Sequence, residues 1–200
     1  TDVSDDSYYA DLCWARGDYD CAIAKDEKLV SQLGDKTNPR AYKLLADAYF
    51  KKNDFANAKK NIDKFFQKQN PDNLISFDYQ LKAEILAKMG ATDEEVYQTY
   101  LAGSALDTVI ASKIDFLKAG AKFFKDKKSF AYEAKMIDQI IAIKPKPTIN
   151  DYFDLTLAHY FDNNFSKSRD AAILLQQKYP EEPYRYEWAY NNSARMITDT

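Results

Sequence analysis

Along this chain, apolar positions recur with the period of a helix and are broken by short polar stretches. In 38–49 they fall at Tyr42, Leu45, Ala46 and Tyr49, the i, i+3, i+4, i+7 stripe of an amphipathic helix. Pro39 suits a helix start, because its missing amide hydrogen would have no partner in the first turn. Lys51-Lys52-Asn53-Asp54 interrupts the stripe, and a second one runs through Phe55, Ala58, Ile62 and Phe65 until Pro71 ends it. The pattern predicts one helix–turn–helix hairpin.

That hairpin recurs. Phe55, Phe130 and Phe165 each open a second-helix stripe that ends at Pro71, Pro145 and Pro180, which are 16, 15 and 15 residues further on. The prolines lie 74 and then 35 residues apart, two repeats and then one at a helical-repeat period. The missing middle member reads as Tyr79, Ala83 and Leu86, a turn at Met89–Thr92, then Val96, Tyr100 and Gly103. A degenerate first member runs from Tyr9 and Cys13 through Gly17-Asp18 to Tyr19, Ala22 and Leu29. Hairpins are predicted at about 4–36, 39–71, 76–107, 113–145 and 149–180, with a terminal helix over 184–198.

On Tyr42, Leu45, Ala46, Tyr49, Phe55, Ala58, Ile62 and Pro71, and on Phe116, Gly120, Phe123, Phe130 and Pro145, the chain resembles the tetratricopeptide repeat (TPR) family. The resemblance covers about 180 residues, with 76–107 and 149–180 partial and the first hairpin weak. It implies an all-α, right-handed superhelical array (an α-solenoid) of about four and a half antiparallel hairpins, forming one domain over 1–200. Small residues at Ala46, Ala83 and Gly120 let paired helices approach closely, and each hairpin buries its apolar face against the next.

In this family the first helices of successive hairpins line a concave groove that holds a peptide or a partner helix. The resemblance implies a partner-binding set of Arg40, Lys43, Asp47 and Phe50, then Phe77, Gln80 and Glu84, then Ile114, Leu117, Ala121 and Phe124. Phe77, Ile114, Leu117 and Phe124 are not required for hairpin packing. They are therefore expected at the surface unless a partner or the terminal helix covers them. In 149–163 the turn reads about one residue short, which leaves the phase of Tyr152 and His159 open. The family's carboxylate clamp is not reproduced: Asp47 stands where asparagine is expected, and Gln80 is neutral.

Composition narrows the picture further. Hydrophobic residues make up 46% and charged residues 30%, the balance of a folded chain. Five glycines and six prolines are few for a protein built on tight β-turns. The net charge of −3 comes from interspersed signs, so the footprint of nucleic-acid binding is missing. The longest apolar runs, such as 171–175, fall far short of the roughly 20 residues that span a bilayer. The chain opens on Thr1 rather than methionine and closes on a helix with nothing after it, which suggests a piece of a longer protein.

Catalytic patterns are sparse. His159 is the one histidine, no phosphate loop or nucleophile elbow occurs, and no cofactor is expected. Asp93-Glu94-Glu95 reads as acids in a first helical turn. Arg16-Gly17-Asp18 spells an adhesion tripeptide but falls where a turn needs glycine. Asn164-Phe165-Ser166 and Asn191-Asn192-Ser193 are formal glycosylation sequons, the first of them on a core phenylalanine.

Cys13 and Cys21 flank Gly17 almost symmetrically. Residues equidistant from the turn of a hairpin face each other, so the pair forms either a disulfide or two free thiols serving as small core residues. A bridge would place the chain in an oxidising compartment. The stretch 175–184, with Tyr179-Pro180, resembles helix ends in tetratricopeptide proteins of the bacterial envelope, and Lys/Asn/Tyr-rich usage suits an AT-rich bacterial genome. The expected function is a non-enzymatic, periplasmic or envelope-associated scaffold for a protein or peptide, with a cytoplasmic location as the alternative. The competing readings are a structural segment of a longer solenoid and, far behind, a helical enzyme or small-ligand domain.

Overall fold

The structure, a computed structural model, describes the backbone of residues 3–198 and the side chains of 6–197. Among these residues there are eleven α-helices: α1 (Val3–Ala15), α2 (Tyr19–Leu33), α3 (Pro39–Lys51), α4 (Phe55–Lys68), α5 (Ser76–Lys88), α6 (Asp93–Leu106), α7 (Ile110–Asp126), α8 (Phe130–Ile143), α9 (Ile149–Phe161), α10 (Phe165–Lys178) and α11 (Pro183–Thr198). The 3-10 turns Gly34–Lys36 and Pro71–Asn73 join hairpins. The chain divides into two compact units, Thr1–Thr99 and Tyr100–Thr200.

One device closes every hairpin. Gly17, Asn53, Gly90, Lys128 and Asn163 all take left-handed backbone, with φ of 75°, 61°, 84°, 60° and 58°. The next amide in each case (Asp18, Asp54, Ala91, Ser129, Asn164) donates to the carbonyl five residues back, at 2.8–3.0 Å. This Schellman closure satisfies carbonyls that a helix end otherwise leaves bare. The second helix is then capped: Asp18, Asp54 and Asn164 accept the amide three residues on, at 3.1, 3.1 and 3.3 Å. Thr92 and Glu95 make a reciprocal capping box, with the Thr92 amide 2.8 Å from Glu95 Oε2 and the Glu95 amide 3.2 Å from Thr92 Oγ1. Those bonds hold the Glu95 carboxyl below its usual range, the work expected of first-turn acids.

The expected short turn at 149–163 is corrected. Three residues separate α9 from α10, as they do in the α1–α2, α3–α4 and α7–α8 turns, and the departure is at 89–92, one residue longer.

In the first unit, α1 pairs with α2 and α3 with α4, while α3 also touches α1 and α5. The core gathers Tyr42, Ala46, Ala58, Ile62, Phe65 and Ile85, with Tyr49, Phe50, Phe66 and Leu81 packed against it. Ile62 and Phe65 are fully buried, worth about 1.5–3 kcal/mol each in removal from water. Cys13 and Cys21 are joined as a disulfide across the α1–α2 turn, with Cα atoms 5.7 Å apart.

In the second unit, Tyr100 is surrounded by Phe116, Phe123 and Phe124 at centroid distances of 5.8, 5.7 and 6.2 Å. Gly120 makes that possible: a Cβ there would lie 3.1 Å from Met136 Cε and 3.2 Å from Tyr100 Cδ1. Further along, Ala134, Ile137, Leu155, Ala158 and Ala171 form a second core. Helix α11 packs on α10 and α9. There, Ser168 Oγ donates to the Thr156 carbonyl at 2.9 Å and lies 2.6 Å from Ser193 Oγ, so the serine of the second sequon is buried while its Asn191 is exposed. His159 is half-buried, and desolvation pulls its imidazole below the usual range despite nearby Asp138.

Candidate functional site

Because α3 touches both α1 and α5, the first helices of three hairpins face one another within the first unit. Between them lies a cleft of about 820 Å³. Asp11 and Trp14 come from α1, Arg40, Lys43, Leu44 and Asp47 from α3, and Phe77, Asp78 and Leu81 from α5. Ile75 stands at the α5 entrance and Phe65 at the base. Phe77 is 65% exposed, Ile75 51% and Trp14 38%, so large apolar side chains meet solvent at the mouth of a concavity.

Its polar groups are held in pairs. Trp14 Nε1 donates to Asp47 Oδ2 at 2.7 Å, and Arg40 NH2 donates to Asp11 Oδ1 at 3.1 Å. Lys43 forms an ion pair with the buried Asp78, whose other oxygen accepts the Ile75 amide at 3.0 Å. The Lys43 ammonium also lies 5.9 Å from the Phe65 ring centroid. Asp78 thus fixes the start of α5 and the direction of Lys43 together. Paired charges on the walls and apolar side chains beside them leave a surface suited to shape and apolar contact.

Of the groove residues expected from the sequence, Arg40, Lys43, Asp47 and Phe77 line this cleft. Phe50 packs on the core and against Phe55, 5.7 Å away. Gln80 donates to Glu84 at 2.9 Å, and neither lines the cleft. In the second unit the expected exposure is corrected: Ile114 is 8% exposed, Leu117 2% and Phe124 0%. Phe124 stacks on Tyr132 at 5.4 Å and packs on Tyr100, so these side chains belong to the α6–α7–α8 core. Ala121 lines a smaller depression of about 220 Å³ with Lys118, Lys125, Glu133 and Asp154. Tyr152 is buried against Tyr179. The contribution of Asp11 and Trp14 is not apparent from the repeat pattern, since the first hairpin departs from it, and Ile75 lies just before α5, outside the repeat's helical stripe. The available signal was a tryptophan beside Cys13 on the exposed flank of the turn.

Among the described residues no helix is long and apolar enough to cross a membrane, and no three His, Cys, Asp or Glu side chains gather as a metal site.

Antiparallel hairpins closed by the same turn and stacked through their apolar faces define an α-helical repeat protein. Comparison with solved structures sharpens the class: the fold is that of tetratricopeptide-repeat proteins. The C-terminal part of a TPR repeat-containing protein from Cytophaga hutchinsonii superposes with a TM-score of 0.63 at 22% identity, over 96% of this chain and 71% of that one. Two crystal structures of MamA align with TM-scores of 0.57 and 0.56 at 16% and 17% identity. They cover 90% and 87% of this chain and 93% and 96% of theirs. No protein-family model and no curated protein matches the chain.

Proposed function

We propose that this protein is a non-enzymatic interaction scaffold that binds an extended segment of a partner protein in the cleft between α1, α3 and α5. The observation that carries the reading is Phe77, Ile75 and Trp14 standing exposed around a concavity of about 820 Å³. A monomeric surface rarely leaves such a group uncovered without a use. The tetratricopeptide fold supports the reading by presenting its first helices on one side, the arrangement from which a groove is built. The Cys13–Cys21 bridge supports an oxidising location such as a bacterial periplasm or envelope.

The test is selection of peptides from a random displayed library on the whole chain, with Trp14→Ala and Phe77→Ala as comparators. Peptides that bind the parent and lose at least tenfold in affinity on either variant support the cleft. Peptides indifferent to both substitutions, or none at all, count against it. A second reading, a segment of a longer solenoid, draws on Tyr184 and Trp188, which stand exposed on α11.

A further inference from the structure

The charges that line the cleft between α1, α3 and α5 do not cancel. They are Asp11, Asp47 and Asp78 against Arg40 and Lys43. Both cations are committed, Arg40 to Asp11 at 3.1 Å and Lys43 to Asp78. Asp47 is the acid left over. Its Oδ2 takes the Trp14 indole hydrogen at 2.7 Å, a neutral donor that satisfies a lone pair and leaves the charge uncompensated. On its own helix, Lys43 lies one turn before Asp47 but is drawn to Asp78. Lys51, one turn after, stands outside the cleft lining, and neither it nor Asp47 forms an ion pair among the described residues.

The second oxygen of Asp47 is within reach of a ligand. The side chain lines the concavity and is half-buried. Its Oδ1 accepts no hydrogen bond from the described residues, yet it is not one of the atoms sealed from solvent without a partner, so it opens to the cleft. The indole bond also fixes Trp14, whose ring is 38% exposed beside it. A cation drawn to Oδ1 therefore meets a carboxylate and an exposed aromatic ring together, the two groups that attract a guanidinium or an ammonium. Ala15 and Leu44 on the same lining suit the alkyl stem of such a side chain. One carboxylate oxygen beside an indole is a poor cage for a metal ion, which needs several oxygen ligands.

We infer that the segment bound in the cleft carries a lysine or arginine that pairs with Asp47 beside Trp14, at a fixed distance from an apolar side chain seated on Phe77 and Ile75. This rests on the cleft reading and names the chemistry of the partner. Trp14 belongs to α1 and Phe77 to α5, and α3 touches both of these helices. A basic anchor on one side and an apolar anchor on the other set the direction in which the segment lies. Charge complementarity acts chiefly in this way, on register and choice of partner.

The test uses peptides selected on the whole chain from the random displayed library. Each is synthesised with its basic residue and with glutamine in that place, then titrated against the parent and against Asp47→Asn. Asparagine keeps an acceptor for the Trp14 indole while removing the charge, and unchanged far-UV circular dichroism and urea midpoint verify its fold. Lys or Arg is expected at one fixed spacing from the apolar anchor. Asp47→Asn and the glutamine replacement should each lower affinity at least about fivefold, and together no more than either alone, because both remove one contact. Added salt should weaken the basic peptide and spare its glutamine form.

The outcomes separate this inference from the reading beneath it. Peptides that need Trp14 and Phe77 but show no basic position, that bind the parent and Asp47→Asn alike, or whose two losses simply add, overturn the pairing and leave the cleft standing. Peptides indifferent to Trp14→Ala and Phe77→Ala, or no peptides at all, overturn both.

Discussion

At the residue scale, Asp26 makes the stability of the first unit depend on pH in a direction opposite to most carboxylates. Its folded pKa of about 7, raised first by burial and then by Asp11, stands above the ordinary value of 3.8. Between those values the folded chain holds a proton that the unfolded chain has released, so stability falls as pH rises from about 4 to 7. Asp26→Asn removes that loss. Urea unfolding at pH 8 should show the variant more stable than the parent, by up to about 4 kcal/mol, with the gap closing by pH 4. Gly120 is a second sensitive position, because its missing side chain is what lets Met136 and Tyr100 close on α7. Gly120→Leu should cost about 1–3 kcal/mol through overpacking of a buried site, read as a lower denaturation midpoint.

At the element scale the hairpin turns set the repeat. Four of the five left-handed positions are glycine or asparagine, residues that take this conformation at little cost, and the fifth is Lys128. A side chain with a full Cβ there costs about 1 kcal/mol, so Lys128→Gly should raise stability by about 0.5–1 kcal/mol in urea titration without altering the circular dichroism. The first turn has a covalent tie as well. Cys13–Cys21 closes a short loop, for which chain-entropy arguments give roughly 2–3 kcal/mol. The Cys13→Ser, Cys21→Ser double variant should unfold earlier by that amount. Because Cys13 adjoins Trp14, the variant should also loosen the cleft wall, seen as a change in Trp14 emission.

At the scale of the molecule, the proposed binding and the stability rest on different side chains. Phe77 is largely exposed, so Phe77→Ala should leave the unfolding midpoint within about 0.5 kcal/mol while lowering the affinity of selected peptides at least tenfold. Phe124→Ala should do the reverse. It empties a fully buried site between Tyr100, Phe123 and Tyr132, with a cost of about 3–5 kcal/mol. Equal effects of the two variants on peptide affinity at matched fold content would contradict the assignment of Phe124 to the core.

The hairpins were legible in the sequence because each rests on local physics. The 3.6-residue stripe of Tyr42, Leu45, Ala46 and Tyr49, Pro39 at a helix start, and glycine or asparagine at a left-handed turn all act over a few neighbours. Four cleft residues, Arg40, Lys43, Asp47 and Phe77, were implied by the family resemblance once that register was set. Burial could not be read the same way. Phe77 and Phe124 are both phenylalanines on first helices, yet one meets solvent and the other disappears among aromatics that Gly120 allows to close in. That difference depends on which neighbour arrives, a contact between helices far apart in sequence. The same holds for Trp14 on Asp47, 33 residues away, and for Asp26, an ordinary acid on an amphipathic helix until α1 and α3 enclose it. Local periodicity was therefore enough to specify a tetratricopeptide-like array, while desolvation and long-range packing decided which of its surfaces is left open.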